Sequence, residues 1–176
     1  MNPEPSPLIL TLQLNLEAFA FFNDLRRMHF PPAINYLDAH LTLFHHLPPI
    51  PVINQLLETV AVNQKNSILE VSGIMKLGRG VAYKIQSDEL IRLQEYLKKQ
   101  WLEWLTPQDK QKFNPHITIQ NKVTAEKAND LYHERSSTFQ TFTAEGIGLS
   151  LWEYKGGPWL KVKDYAFLAA SAELNQ

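Results

Sequence analysis

His40-Leu41-Thr42-Leu43 and His116-Ile117-Thr118-Ile119 repeat one pattern, in which a histidine and a threonine alternate with two aliphatic residues. Side chains alternate between the two faces of an extended strand. Each histidine should therefore share a face with its threonine, while the aliphatic side chains point into a core. The pattern predicts two motif strands, near residues 39–47 and 115–121, that each present one imidazole and one hydroxyl.

The segments around the two motifs repeat as well. Each motif precedes a helix-like segment and then two strands joined at a glycine turn, and equivalent residues recur 75 to 77 positions apart. Two long copies are too few for a solenoid, which needs several short units. We therefore predict an α+β fold with two pseudo-twofold-related lobes, each an antiparallel β-sheet flanked by helices, in one domain spanning residues 1–176. The pseudo-twofold axis would place His40 and His116 across a central cleft.

Helix-start signals indicate where several helices begin. Ser87 and Thr124 are suitable N-caps, because their hydroxyls can accept a hydrogen bond from the first turn. The helix that Ser87 caps is expected over residues 88–104. Thr106-Pro107-Gln108-Asp109 has a similar form and predicts another helix start, with Asp109 returning a capping contact.

Composition excludes several classes of protein. The 176 residues are 44% hydrophobic and 20% charged, with a net charge of −1 and no cysteine. Disulfides and thiolate metal sites are thus excluded, and stable binding of long nucleic acids is not expected without a basic surface. No signal-like segment is recognised at residues 1–5, and no apolar run reaches membrane-spanning length. We expect a cytoplasmic monomer that does not bind membranes.

Two imidazoles and two hydroxyls suit acid–base chemistry on a phosphodiester. Histidine exists in neutral and protonated forms near pH 7, so one imidazole can accept a proton while the other donates one. The hydroxyls of Thr42 and Thr118 can hydrogen-bond phosphoryl oxygens. This interpretation makes His40 and His116 the catalytic pair, leaves open which is the base, and requires neither a metal nor another cofactor.

Other interpretations use the same residues. A binding module could hold a nucleotide or RNA end with the histidines as donors and without turnover, and a structural interpretation assigns no ligand at all. A metal cluster of histidines is disfavoured because adjacent His45 and His46 would point to opposite strand faces and no carboxylates lie nearby in the sequence.

Several stretches beyond the motifs resemble one protein family. Leu105–Asp109, Pro115–Val123 and Gly156-Gly157-Pro158-Trp159, together with the two motifs, resemble a bacterial branch of the 2H phosphoesterase superfamily, the 2'-5' RNA ligase-like and cyclic phosphodiesterase-like proteins. The resemblance spans essentially the whole chain. Leu8–Leu12 lacks the basic and aromatic residues of the RNA ligase-like branch, which favours phosphoesterase chemistry over RNA joining.

The resemblance implies a bilobal α+β fold and metal-independent hydrolysis of 2',3'-cyclic phosphates or of 2'-5' linkages in RNA ends and nucleotides. His40, Thr42, His116 and Thr118 match the site pattern of the family. Four further residues are candidate substrate contacts, two as cations for the phosphate and two as aromatic surfaces for a base. They are Arg79, Lys122, Tyr154 and Phe44.

Overall fold

The structure, a computed structural model, describes residues 6–169 of the chain. In order, its strands and α-helices are β1 (Leu8–Leu14), α1 (Leu16–His29), β2 (Leu41–Leu47), α2 (Pro51–Asn63), β3 (Ser67–Lys76), β4 (Val81–Gln86), α3 (Asp88–Gln100), β5 (His116–Gln120), α4 (Ala125–Thr138), β6 (Phe142–Tyr154) and β7 (Trp159–Ala166). Within residues 6–169, no helix combines the length and apolar character needed to cross a membrane. The segment inspected for a signal sequence, residues 1–5, lies outside the described residues.

The strands form one antiparallel sheet in the order β2-β1-β6-β3-β4-β5, and β7 also pairs with β6. The long strand β6 pairs with β3 along residues 142–146, and with β1 and β7 along the remainder of its length. The motif strands β2 and β5 stand at opposite ends of the strand order, yet they contact each other. The sheet is therefore curved enough to bring its two motif strands together.

The α+β class and the antiparallel sheet with its helices are confirmed, and β6 joins the two halves into one sheet. The hairpin β3–β4 follows the first motif in the sequence, but it pairs with the second motif strand, β5. Strand β6, from the hairpin after the second motif, pairs with β1, which neighbours the first motif strand. Each hairpin therefore supports the motif of the other sequence repeat.

The strands are crowded where β1 passes β6. A Cβ atom on Gly146 of β6 would lie 2.7 Å from Leu12 Cδ2 on β1. One on Gly148 would lie 2.7 Å from the carbonyl oxygen of Tyr165 on β7. Glycine permits this close approach because it has no side chain, and the pairing of β1 with β6 shifts register at the same point. The two halves of the sheet meet here without a gap.

Local capping follows the sequence in two places and departs from it in a third. Ser87 Oγ accepts from the Leu90 N–H, and Thr124 Oγ1 accepts from the Lys127 N–H, both at 3.3 Å. Helix α3 ends at Gln100, four residues earlier than expected. The helix expected from Thr106 is wrong, since residues 107–110 form a turn. Thr106 Oγ1 accepts from the Asp109 N–H at 3.4 Å as a cap would, while the Asp109 carboxylate bonds β2.

Candidate active site

The two motif histidines make the same local hydrogen bond. His40 Nδ1 donates to the carbonyl oxygen of Asp38 at 2.7 Å, and His116 Nδ1 donates to the carbonyl oxygen of Asn114 at 2.8 Å. A carbonyl oxygen can only accept, so each Nδ1 carries the hydrogen. In the neutral ring, Nε2 is then the atom with a free lone pair. Both imidazoles are thereby held in the tautomer that offers Nε2 to a ligand.

The motif threonines lie on their strands as the alternation predicts. Thr42 and Thr118 are half-buried, and the aliphatic residues around them are buried. Thr42 stands opposite Thr11 of β1, and Thr118 stands opposite Ala82 of β4. The buried neighbours are Leu41, Leu43, Ile117 and Ile119.

The protonation state of His40 is set by its burial and by the charges around it. Burial is the largest cause that lowers the pKa of His40, from 6.5 to about 4. The hydrogen bond to Asp38 opposes this shift, whereas the positive charges of Arg26, His116 and His45 add to it. His40 is therefore neutral near pH 7, the state in which Nε2 can accept a proton.

Helix α1 holds the short loop in front of His40. Asn23, which is buried, donates from Nδ2 to Asp38 Oδ1 and accepts at Oδ1 from the Ala39 N–H, each at 3.0 Å. One side chain thus satisfies both the carboxylate and the backbone of the residues before the motif. The direction in which the His40 backbone leaves the loop depends on this contact.

A cavity of about 450 Å³ opens beside His40. The imidazole lies against the indole of Trp159, and Trp152 Nε1 donates to Thr11 Oγ1 at 2.9 Å. The cavity therefore offers flat aromatic surfaces and polar groups next to one motif histidine. The side chains along it include Thr11, Gln13, Ser150, Trp152, Trp159 and Lys161.

Phe44 does not reach this cavity. Its side chain is fully buried and packs edge-on against Trp101, with ring centroids 5.3 Å apart. The alternation expected along β2 breaks here, since residues 43 and 44 are both buried and His45 and His46 are both exposed. The Asp109 carboxylate accepts from the backbone N–H groups of these two histidines, each at 2.9 Å. Between Thr42 and Phe44, β2 has one residue more than the paired strand β1, and this irregularity accompanies the burial of Phe44. Phe44 therefore packs in the core, and the expected base contact is corrected.

The two proposed cations lie at the far end of β5 from His116. Arg79, in the turn between β3 and β4, donates from Nε to the Val123 carbonyl oxygen at 2.8 Å. Lys122 is exposed in the segment that follows β5. Strand rise places Gln120 roughly 13 Å along β5 from His116, and Arg79 and Lys122 are beyond it. The structure therefore does not bring Arg79 or Lys122 to the histidines.

The candidate Tyr154 lies outside the cavity beside His40, whereas two tryptophans line it. Tyr154 is exposed and stands opposite Trp159 across β6 and β7, but it does not line the cavity. Trp152 and Trp159 do line it, with ring centroids 6.2 Å apart. Two half-exposed tryptophans on paired strands thus form an aromatic wall beside His40.

A lysine that the sequence interpretation missed is paired with His116 across β4 and β5. Lys84 stands opposite His116 in the β4–β5 pair, is exposed, and passes over Gly73 of β3. Directly opposite residues have Cβ atoms about 5 Å apart and share a face of the sheet. The available signal was an exposed lysine within an otherwise buried strand sequence, Val81-Ala82-Tyr83-Lys84-Ile85.

Candidate metal ligands do not converge in the described part of the chain. Among residues 6–169, no group of three His, Asp or Glu side chains is placed to hold one ion. The groups that line the cavity beside His40 include hydroxyls, amides, indoles and the Lys161 amino group.

The fold matches several solved structures at low sequence identity. The crystal structure of TT0787 of Thermus thermophilus superposes with a TM-score of 0.66 and 16% identity, covering 94% of this chain and 100% of that one. A crystal structure described as a phosphoesterase gives 0.59 and 20%, with the same coverage. E. coli LigT complexed with NADP+ gives 0.56 and 18%, again over 94% and 100% of the two chains. At these identities the likeness establishes the fold.

Sequence comparison establishes the family. No curated protein sequence matches the chain significantly. The model of the 2'-5' RNA ligase superfamily matches residues 14–158, a range that includes both motifs and most of the sheet. The chain therefore belongs to the 2'-5' RNA ligase superfamily, the 2H phosphoesterases.

Proposed function

We propose that this protein is a metal-independent phosphodiesterase that hydrolyses a 2',3'-cyclic phosphate, or a 2'-5' linkage in a nucleotide or RNA end. The observation that carries the proposal is the matched orientation of His40 and His116, whose Nδ1 atoms are both fixed by a backbone carbonyl. Family membership supports phosphoesterase chemistry in general. The choice of linkage rests on the resemblance of the motifs.

The proposed reaction uses each imidazole for one proton. His40 Nε2 takes a proton from the attacking water as the new P–O bond forms. The bond from phosphorus to one ribose oxygen breaks, and His116 in its imidazolium form protonates that oxygen. Thr42 and Thr118 donate hydrogen bonds to the non-bridging oxygens. His40 is assigned as the base because its lowered pKa keeps it neutral at pH 7.

A nucleotide substrate is supported by the cavity beside His40 and by one relative. E. coli LigT has been crystallised with 3'-AMP, at 19% identity to this chain and a TM-score of 0.57. In this chain, Trp152 and Trp159 offer aromatic surfaces beside His40, and Lys84 is an exposed cation on the strand that pairs with His116. A base and a phosphate could then occupy adjacent parts of one site.

The test is hydrolysis of nucleoside 2',3'-cyclic phosphates and of a 2'-5' dinucleotide, with EDTA present and absent. His40→Ala and His116→Ala should each lower kcat by at least about 10²-fold, while His133→Ala, on the exposed surface of α4, should not. Wild-type turnover in either motif variant would contradict the mechanism. Tight binding of an intact nucleotide without product would instead identify a binding module.

A further inference from the structure

Arg26 on helix α1 connects the segments that carry the two motifs. Its guanidinium donates from Nε to Asn35 Oδ1 at 2.8 Å and to the Leu37 carbonyl oxygen at 2.9 Å, in the loop before His40. Its Nη1 donates to the carbonyl oxygen of Thr118 at 3.0 Å, in the second motif strand. A single side chain thus hydrogen-bonds both halves of the candidate site.

The guanidinium is buried, and it remains charged there. Arg26 is 5% exposed, and burial lowers its pKa to about 10, with the nearby Asp38 carboxylate opposing the shift. Its carbon Cζ lies 3.9 Å from the centroid of the Phe30 ring. A charge this deep is stabilised only when its donors are satisfied. The three acceptors around Arg26 therefore tie the loop and the strand to α1.

This link matters because the sheet does not provide one. β2 and β5 contact each other but stand at opposite ends of the strand order and do not pair. The separation of His40 and His116 is consequently not set by a hydrogen-bond ladder between their strands. A fan-shaped guanidinium can bridge two backbone segments at a fixed spacing, which a lysine amino group cannot reproduce.

We propose that Arg26 is a positioning residue, which sets the separation and relative orientation of the His40 and His116 imidazoles by bonding the loop before one and the strand of the other. Its effect on turnover rests on the function proposed above, whereas its effect on the site geometry does not. Displacement of a catalytic group by about 1 Å can lower a rate by about 10²-fold.

The charged groups around His40 provide a second readout. Arg26 faces the ring from α1, His116 from β5 and His45 from β2, and Asp38 and Lys161 lie on its own loop and along the adjoining cavity. Arg26 is one of the groups that lower the pKa of His40. Its replacement by a neutral residue should therefore raise that pKa, which reports that the guanidinium lies close to the ring.

The variants are Arg26→Gln, which removes the charge, and Arg26→Lys, which keeps the charge but loses the planar set of guanidinium N–H donors. Arg27→Gln is the matched control, because Arg27 is exposed on the same helix and bonds Asp24, at 3.4 Å. Asn35→Ala removes one acceptor without disturbing the core, and Asn35→Asp restores an acceptor. Folded protein is quantified by urea unfolding, His40 is titrated by NMR, and kcat and KM are measured with a nucleoside 2',3'-cyclic phosphate.

The proposal expects kcat per folded molecule to fall about 10²-fold in both Arg26 variants with little change in KM. Arg26→Gln should also raise the pKa of His40, and Arg26→Lys should not. Asn35→Ala should lower kcat about tenfold, which corresponds to the free energy of one hydrogen bond, and Asn35→Asp should restore kcat. If folded Arg26→Gln keeps the kcat of Arg27→Gln, or if Arg26→Gln does not fold and Asn35→Ala keeps full kcat, the proposal is overturned. If the wild-type protein does not turn over, the proposed function fails, and unchanged NMR chemical shifts of the His40 and His116 rings in Arg26→Lys then overturn the positioning role separately.

Discussion

The imidazole of His40 lies against the indole of Trp159, with ring centroids 4.9 Å apart and 52° between the ring planes. One ring comes from the entry to β2 and the other from the first residue of β7. Because β7 belongs to the hairpin that follows the second motif, the contact joins residues from the two sequence repeats. It also puts an aromatic surface beside the proposed general base.

Trp159→Ala should raise KM for nucleoside 2',3'-cyclic phosphates by about 10- to 100-fold, since stacking of one base on an aromatic ring contributes about 1 to 3 kcal/mol. Glycerol 1,2-cyclic phosphate, which has no base, should show little change. Steady-state kinetics on both substrates provide the measurement, with Trp104→Ala, a partly exposed tryptophan outside the cavity, as control. An equal loss on both substrates would mean that Trp159 positions His40 and does not hold a base.

Lys84→Met should raise KM about 2- to 5-fold, because the variant loses an exposed positive charge from the residue paired with His116. The difference from the wild type should shrink at high salt, which screens an exposed charge. Arg79→Met, at the other end of β5, should leave KM within about twofold. A larger effect of Arg79→Met than of Lys84→Met would show that the phosphate binds elsewhere on β5.

The lowered pKa of His40 should make folding sensitive to mild acid. Between pH 6.5 and about 4 the unfolded chain binds a proton at this residue and the folded chain does not, so the free energy of unfolding falls as pH falls. Above pH 6.5 the ring is neutral in both states and makes no such contribution. The loss reaches roughly 3 kcal/mol near pH 4.

His40→Asn tests this pH dependence by urea unfolding at pH 7 and pH 4.5. The variant should lose less stability on acidification than the wild type does. The comparison is needed because burial, and then Arg135, also lower the pKa of His29, which titrates in the same direction. Equal acid sensitivity of the two proteins would show that His40 titrates normally in the folded state.

Asp109→Ala should lower the free energy of unfolding by about 2 to 4 kcal/mol, because two backbone N–H groups of β2 lose a charged acceptor. Burial raises the pKa of Asp109, but the hydrogen bonds from the His45 side chain and the backbones of His45 and His46 outweigh it, and the net pKa is lowered. Urea unfolding measures the change. Asp130→Ala, on the exposed side of α4, should stay within about 0.5 kcal/mol, and a similarly small effect at Asp109 would contradict its structural role.

Much of this protein was predictable because its signals are local. Alternation places Thr42 and Thr118 between buried aliphatic residues, and the side-chain hydroxyls of Ser87 and Thr124 cap their helices as expected. These features depend on strand geometry and on hydrogen bonds within three residues. The antiparallel α+β class follows from the same periodicities.

Phe44 shows why the prediction fails even within a motif strand. Regular alternation would put Phe44 on the face of Thr42, but β2 has one residue more than β1 between Thr42 and Phe44, and Phe44 is buried. Leu10, which pairs with Phe44 on β1, is more than thirty residues away along the chain. No pattern within β2 could report a partner at that distance.

By itself, the sequence determined that two strands would each carry a histidine and a threonine, because side-chain alternation is a property of any extended backbone. The tertiary structure alone decided that β2 and β5 meet, that each hairpin supports the motif of the other repeat, and that Arg26 bonds both sides of the site. Those relationships depend on sheet curvature and on contacts between distant residues. They pair Lys84 with His116 and place Trp159 beside His40, while Arg79 and Lys122 remain at the far end of β5.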